Sequence, residues 1–313
     1  MIVKTGKILM VLLMVALLLG QQPAQATEFG SSYYFPGISI TFAPGLAPHT
    51  GVVGVEQMLF MNTKANVVVL GGRVETDVKS KVFLNVIGVT NTFKSSEKSD
   101  KTFQVGVFLP YGNVDVRPTI STAQGSRSIS SSSTDIGDTT LIGAMYWKNG
   151  DYHYKIAETI YAPTGAYDRM NLSNVGRNYW GFDTTFAVTH VDMKSGIEWS
   201  IAPGILFNTR NEDSDYKSGN EFHIEFALNH HYFKQHYAVG LQGYYYKQIT
   251  GDSGSGAKLG SFQGEAFGIG PAVLWTPPSK KGNLSVIAKW LFDVEHQNRL
   301  HGDFGQLIVA YKF

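Results

Sequence analysis

Residues 283–295, NLSVIAKWLFDVE, alternate in polarity with a period of two. Leu284, Val286, Ala288, Trp290, Phe292 and Val294 share one face. Asn283, Ser285, Ile287, Lys289, Leu291, Asp293 and Glu295 share the other. This period belongs to a β-strand, whose successive side chains point to opposite sides. The unbroken apolar face, backed by charges, requires a sheet with one greasy and one wet surface. The pattern recurs. Trp180, Phe182, Phe186 and Val188 oppose Asp183 and Thr185, while Ile197, Trp199, Ile201, Ile205 and Phe207 oppose Glu198 and Ser200. Phe222, Ile224, Phe226 and Leu228 oppose Glu221, His223, Glu225 and Asn229; Tyr237, Val239, Leu241 and Tyr245 oppose Gln242, Tyr244 and Tyr246.

Such strands either pack as two sheets in water or close into a barrel in lipid. Lys4 and Lys7 precede an apolar run from Ile8 to Gly20, followed by Ala24 and Ala26 in an A-x-A arrangement. This is the layout of a secretory signal peptide, with cleavage expected after Ala26. The alternative, a membrane-anchoring helix, ordinarily has a longer apolar core of ~20 residues. No later run approaches the ~18 apolar residues of a spanning helix. Without Lys4 and Lys7 the chain carries 24 basic against 25 acidic side chains, a balance that opposes a nucleic-acid partner. It has no cysteine, hence no disulfide and no thiolate metal site. With 19 Phe, 16 Tyr, 5 Trp and 34 Gly, an exported chain of this kind is a soluble β-protein or a transmembrane barrel.

Connection lengths separate the two. The turns at 148–151, 192–196, 232–235 and 277–282 are tight, whereas 114–134, 163–176, 210–218 and 250–261 are long and rich in Ser, Asn, Asp and Gly. Short turns at one end and long loops at the other are the outer-membrane pattern, which a sandwich has no reason to adopt. The expected fold is an all-β transmembrane antiparallel up-and-down barrel of about twelve strands, or fourteen if 67–72 adds a strand piece. The expected strands are 49–62, 79–93, 101–113, 135–148, 151–162, 177–190, 195–209, 219–232, 236–249, 262–276, 283–296 and 303–313. The barrel would thus occupy 49–313. Trp147, Trp199 and Trp275 fall at the turn end and Trp180 at the loop end, as aromatic girdles require. Trp290 falls nearer mid-strand. The last strand must pair with the first, because unpaired backbone is not tolerated in lipid.

The inward faces are expected to be polar, with Asp183, Glu198, Glu221, His223, Glu225, Gln242, Tyr244, Tyr246, Lys289, Asp293 and Glu295 as lumen-lining candidates. Two readings remain: a paired network filling a narrow lumen, or a hydrated path. Residues 27–48, with Tyr33, Tyr34, Phe35 and Phe42 among glycines and prolines, have too little regular patterning for a membrane strand. They form either a plug in the lumen or a periplasmic tail. No catalytic, metal or cofactor site is expected. His230 and His231 alternate to opposite faces. The acidic stretch Glu212, Asp213, Asp215, Glu221 lacks the EF-hand spacing. No G-x-S-x-G nucleophile motif occurs, and GDSGSGAKLG (251–260) lacks a following helix to cradle phosphate.

Several motifs carry a resemblance: YYFPG (33–37), LPYG (109–112), DIGD (135–138), APTGAYD (162–168), NVGRNYW (174–180), YYYKQITGD (244–252) and GIGP (268–271). Their order and spacing over nearly all of the chain beyond residue 26 resemble the family of outer-membrane transporters associated with the meta-cleavage pathway of phenol degradation. The resemblance implies a barrel taking up aromatic compounds; the family brings no agreed binding residues. The terminal Phe313, with Tyr311 two residues before it, also resembles the C-terminal signature read by bacterial outer-membrane assembly machinery. The partners so implied are outer-membrane lipid, the barrel-assembly machinery and a small hydrophobic or aromatic solute, in a bacterial outer membrane. The expected function is a diffusion channel for phenol-like compounds through a partly plugged polar lumen. The alternatives are a structural or surface-binding barrel with a closed lumen, and an outer-membrane hydrolase needing a Ser–His contact.

Overall fold

The computed structural model describes residues 27–70, 73–122, 125–232, 234, 236–278 and 284–313. The expected signal peptide therefore lies outside the described residues. The strands are β1 (Gly51–Leu70), β2 (Arg73–Lys94), β3 (Thr102–Arg117), β4 (Thr119–Thr122), β5 (Gly125–Ser128), β6 (Ser131–Ile136), β7 (Thr139–Asn149), β8 (Tyr152–Ala162), β9 (Gly181–Val191), β10 (Ile197–Asn208), β11 (Glu221–Tyr232), β12 (Tyr237–Gln248), β13 (Glu265–Trp275), β14 (Leu284–Gln297) and β15 (His301–Lys312). Twelve of them, β1–β3, β7–β13, β14 and β15, form a closed antiparallel ring in which each neighbours the next in the chain. The ring closes where β1 pairs with β15, from Val53 opposite Lys312 to Lys64 opposite His301. Phe313 N adds a bond to the Val52 carbonyl at 3.1 Å. Among the described residues the ring itself leaves no backbone edge for lipid to meet, the condition a spanning sheet must satisfy.

Three departures from the expected strands have physical causes. Of the piece at 67–72, Val67–Leu70 is the end of β1 rather than a further strand, and 71–72 lie outside the described residues. β1 and β2 run 20 and 22 residues and stay paired up to Leu70 opposite Arg73. The polar residues Thr63, Lys64, Glu75 and Thr76, which fall between the expected strands 49–62 and 79–93, are paired strand in this long hairpin. The expected strand 135–148 is split in two. β7 pairs with the first part of β3, and β6 pairs with Tyr111–Val116 beyond it, outside the ring. The break falls at Gly137–Asp138, opposite Pro110. A proline has no N–H to give a neighbouring strand, so only its carbonyl is engaged there, accepting from Gly137 N at 2.8 Å. β4 and β5 form a separate hairpin.

The outward face carries an apolar belt. Ile87, Val105, Leu141, Ile156, Phe186, Ile201, Leu228, Leu241, Val273 and Phe292, each from a different ring strand, are 37–63% exposed. An apolar surface that encircles a protein belongs in hydrocarbon rather than water. Trp147 stacks on Tyr154 at 5.4 Å, and Trp199 packs by Tyr152 and His190, toward the tight-turn end. Trp275 is paired with Tyr237 there, and Trp180 stacks on Phe182 at the loop end. Trp290 lies over Gly305 of β15, where a Cβ would stand 2.5 Å from the indole ring. The missing side chain thus makes the seat for a ring that the girdles do not explain.

The two halves of the wall differ inside. β9–β12 and β14 turn Asp183, Glu198, Glu221, His223, Glu225, Gln242 and Lys289 inward, all buried. β1–β3 turn Leu59, Met61, Val82, Leu84, Val86, Phe108, Val114 and Val116 toward the interior. The expectation of a uniformly polar inner face therefore fails over β1–β3.

Candidate functional site

Residues 27–49 contact the inward side chains of the charged half from the loop end to the turn end. The segment is shaped by its prolines and glycines. In FPGI, Ile38 N bonds the Phe35 carbonyl at 3.0 Å, with Gly37 at φ +82°. Pro then Gly at the centre of a turn is the type II arrangement. A Cβ on Gly37 would meet Leu291 at 2.7 Å and Lys289 Nζ at 3.4 Å, so only glycine allows this approach.

That turn sits between two opposite charges. Glu225 accepts from Tyr34 OH at 2.8 Å, Gly37 N at 3.0 Å and Ile40 N at 2.5 Å. Lys289 Nζ donates to the carbonyls of Gly37 and Ile40. Gln306 Nε2 donates to the Pro36 carbonyl at 3.0 Å. The carboxylate thus satisfies the N–H groups and the ammonium the C=O groups of one buried turn, which would otherwise go unpaired at a cost. Toward the turn end, Glu198 accepts from Ala43 N at 2.8 Å, and Thr189 Oγ1 from Gly45 N at 3.0 Å. His231 Nε2 lies 2.6 Å from the other Glu198 oxygen, with Phe42 edge-on to its ring. Gln242 donates weakly to the Thr41 carbonyl at 3.4 Å. Toward the loop end, Ser32 Oγ donates to Glu221 at 2.5 Å, and Asn208 Nδ2 to the same carboxylate at 2.9 Å. His223 bonds Asp183 at 2.9 Å and stacks on Tyr34, with ring centroids 4.4 Å apart. Tyr34 also stacks on Tyr246, and Tyr246 faces the Arg299 guanidinium. Tyr244 donates to Asp293, whose other oxygen accepts from Gly302 N. Phe35 packs edge-on against Phe304 at 5.8 Å.

Glu295 does not share the facing of Asp293. Phe267 is opposite Glu295 but Gly268 is opposite Asp293, so Val294 is an extra residue and the alternation reverses. Such a bulge carries the next side chain to the other face, and Glu295 is exposed beside outward Phe267. Tyr311 and Phe313 are exposed on the outer face, with rings 5.3 Å apart. His230 bonds the Ser195 carbonyl in its turn. Asp213 accepts from Asn178, and Asp215 from Arg210 and Ser255 N. Among the described residues no three His, Asp or Glu side chains are grouped to hold a metal ion.

Sequence reasoning missed a node at Asp138. Its Oδ2 lies 2.8 Å from Tyr33 OH and 2.6 Å from Arg177 N, and its Oδ1 2.9 Å from Gly165 N. The Tyr33 hydroxyl also lies 2.6 Å from the Tyr179 carbonyl, so one proton is shared between two acceptors. Arg177 donates to the Ser31 carbonyl at 2.6 Å and to Ser31 Oγ at 3.1 Å. The motifs YYFPG, DIGD, APTGAYD and NVGRNYW therefore meet at one buried carboxylate; their glycines and charges were the available signal. A second missed cluster lies under the loops. Asp252 accepts from Thr27 N at 2.8 Å, Tyr216 OH at 2.6 Å, Gly219 N at 2.9 Å and Gln248 Nε2 at 2.5 Å. Burial pushes the Glu28 carboxyl up to about 7, although Asn211 and Arg177 draw it down.

Between the segment and the apolar half is a cavity of about 290 Å³. Leu59, Met61, Val82, Leu84, Val86 and Phe108 line its wall side, and Tyr33, Tyr34, Phe35 and Ile38 its segment side. It reaches the β6–β7 break at Gly137 and Asp138.

A closed ring with an apolar belt, holding residues 27–49 against charged inner strands, defines a transmembrane β-barrel. The family described as "Putative MetA-pathway of phenol degradation" matches residues 60–307, and the chain belongs to this family. The fold is similar to the crystal structure of an outer membrane channel from Pseudomonas putida F1, with a TM-score of 0.70 and 14% identity over 90% of this chain and 100% of that one. More distant likenesses are the translocator domain of the autotransporter NalP from Neisseria meningitidis (TM-score 0.42, 11% identity, 85% and 90% covered) and a Pseudomonas aeruginosa FadL homologue (0.39, 9%, 84% and 89%). No curated protein matches the sequence.

Proposed function

We propose that the protein is an outer-membrane channel that admits small hydrophobic or aromatic, phenol-like solutes by diffusion. In this reading residues 27–48 are a plug that narrows the lumen, the tight turns face the periplasm and the long loops face outward. The observation that carries it is the cavity of about 290 Å³ bounded by Leu84, Val86, Phe108 and Phe35. Its size is at the lower end of the roughly 300–1,000 Å³ of small-molecule pockets, which are mostly apolar with a few polar groups. Here Asp138, Arg177 and Lys155 supply those groups, matching a ring that carries one hydroxyl. The family's tie to phenol degradation supports the same solute class.

The test is uptake by a strain lacking the protein, restored with the native chain. Entry of phenol and small alkylphenols rises on restoration, and entry of sugars of similar mass does not. Equal entry of all these solutes with and without the protein overturns the reading and leaves a closed structural barrel.

A further inference from the structure

The residues that follow the expected cut at Ala26 lie in an unusual place for a chain terminus. Thr27 is 2% exposed and Glu28 is fully buried, both enclosed by the loops that carry Asn211, Ser218 and Asp252. Chain termini ordinarily lie at the surface. From here the segment runs the length of the barrel to Gly51 at the opposite end. We infer that the chain is cut immediately before Thr27, and that the α-ammonium group so created is bound by the buried Asp252 carboxylate beneath the loops.

Three observations point the same way. First, Thr27 N already lies 2.8 Å from Asp252 Oδ2. The other donors to Asp252, from Tyr216, Gly219 and Gln248, are all neutral. None of the ion pairs among the described residues involves Asp252. A buried carboxylate without a cation is expensive, and an ammonium at the nitrogen position would complete it. Second, Glu28 adds a further carboxyl, with one oxygen bonded to Asn211 at 3.0 Å and the other without a hydrogen-bond partner. Burial pushes both carboxyls up, as a site short of positive charge should. Third, Thr27 has φ +65°. A β-branched residue adopts that region only at a cost. The torsion is defined by the preceding carbonyl, so the strain disappears when that carbonyl is removed. The A-x-A arrangement ending at Ala26 places the cut at the same bond. In the reaction, water supplied through a peptidase of the export route adds across the Ala26–Thr27 amide. Residues 1–26 leave with a new carboxylate, and Thr27 keeps the amine, which takes a proton. The processed end thereby becomes a latch that fixes the segment at the loop end.

Two measurements test this. N-terminal sequencing and intact mass of protein extracted from membranes should give Thr27 as the first residue; any other start overturns the inference. The extracted barrel in detergent micelles is then treated with an amine-acetylating reagent at pH 8. The Thr27 α-amine should react at least about tenfold more slowly than in the urea-unfolded chain, the protection expected of a group exposed only on local opening. Asp252→Asn should remove that protection while leaving the rate at exposed Lys98 unchanged. Equal rates in folded and unfolded native protein overturn the binding site. Should Asp252→Asn fail to fold, the refolded chain beginning at Thr27 is compared with one carrying an additional Ala26. The extended chain should unfold at lower temperature, and identical unfolding of the two overturns the latch.

Discussion

The two halves of the barrel wall solve different problems with the same strand geometry. β9–β12 and β14 face inward with Asp183, Glu198, Glu221, His223, Glu225 and Lys289, and these side chains are spent on the backbone of residues 27–48. β1–β3 face inward with Val82, Leu84, Val86, Phe108 and Val114, and these line the cavity. Irregular backbone inside a barrel must find hydrogen-bond partners from side chains, because it forms no ladder of its own. The charged half supplies them; the apolar half is left for something that needs none. The difference teaches that burial of charge here serves placement of one segment.

Lys289→Met should break the comparison most severely. It strips the cation from the Gly37 and Ile40 carbonyls and removes the positive charge of Lys289 from beside the buried Glu225, which keeps only its donors from Tyr34, Gly37 and Ile40. Removing one partner of a buried charged arrangement costs roughly 3–5 kcal/mol. The denaturant midpoint in micelles should fall accordingly, and residues 27–48 should become open to proteolysis. Leu84→Asp attacks the other half. A carboxylate in the apolar cavity should cut phenol uptake about tenfold, equal to about 1.4 kcal/mol, while heat-modifiable migration shows the barrel intact. Tyr33→Phe sharpens the boundary between the halves, because its hydroxyl ties the segment to Asp138. The loss should be about 1 kcal/mol in stability, with more frequent single-channel openings. A further test concerns pH. In the chain extended by Ala26, whose backbone is continuous through Thr27, the folded Glu28 carboxyl sits at about 7 against 4.5 when free. The folded state then holds a proton that the unfolded state has released, so stability falls as pH rises from 4.5 to about 7 and levels off above. Unfolding midpoints across that range should show the slope, and Glu28→Gln should make it shallower.

Legibility in the sequence followed the same division. Along β9–β12 one face is apolar and the other charged, so period two fixes both the strand and its inward side. Along KVFLNVIGV in β2 both faces are apolar. Phe83 and Ile87 meet lipid while Val82, Leu84 and Val86 meet the cavity, and alternation cannot tell them apart. Thr63, Lys64, Glu75 and Thr76 resemble loop because they lie in the hairpin beyond the apolar belt. The Val294 bulge was invisible, since an extra residue changes facing without changing composition, and it moved Glu295 outside. The turn at Pro36–Gly37 was readable in principle from its dipeptide. Its grip by Glu225 and Lys289 was not, because those partners lie 185 and 249 residues beyond Ile40. Asp138 stayed hidden for the same reason: its partners come from three remote stretches of chain.

The descent of residues 27–49 from the loops to Gly51 has a mechanical consequence. The segment is tethered where β1 begins, so a pull from that side loads its contacts one at a time. Gly45 would leave Thr189 first, Ala43 would then leave Glu198, the Gly37–Ile40 turn its charged clasp, and Thr27 last of all Asp252. A push from the loop side loads them together, in shear. The lumen is therefore easier to clear by peeling from the tethered end than by force from the opposite mouth.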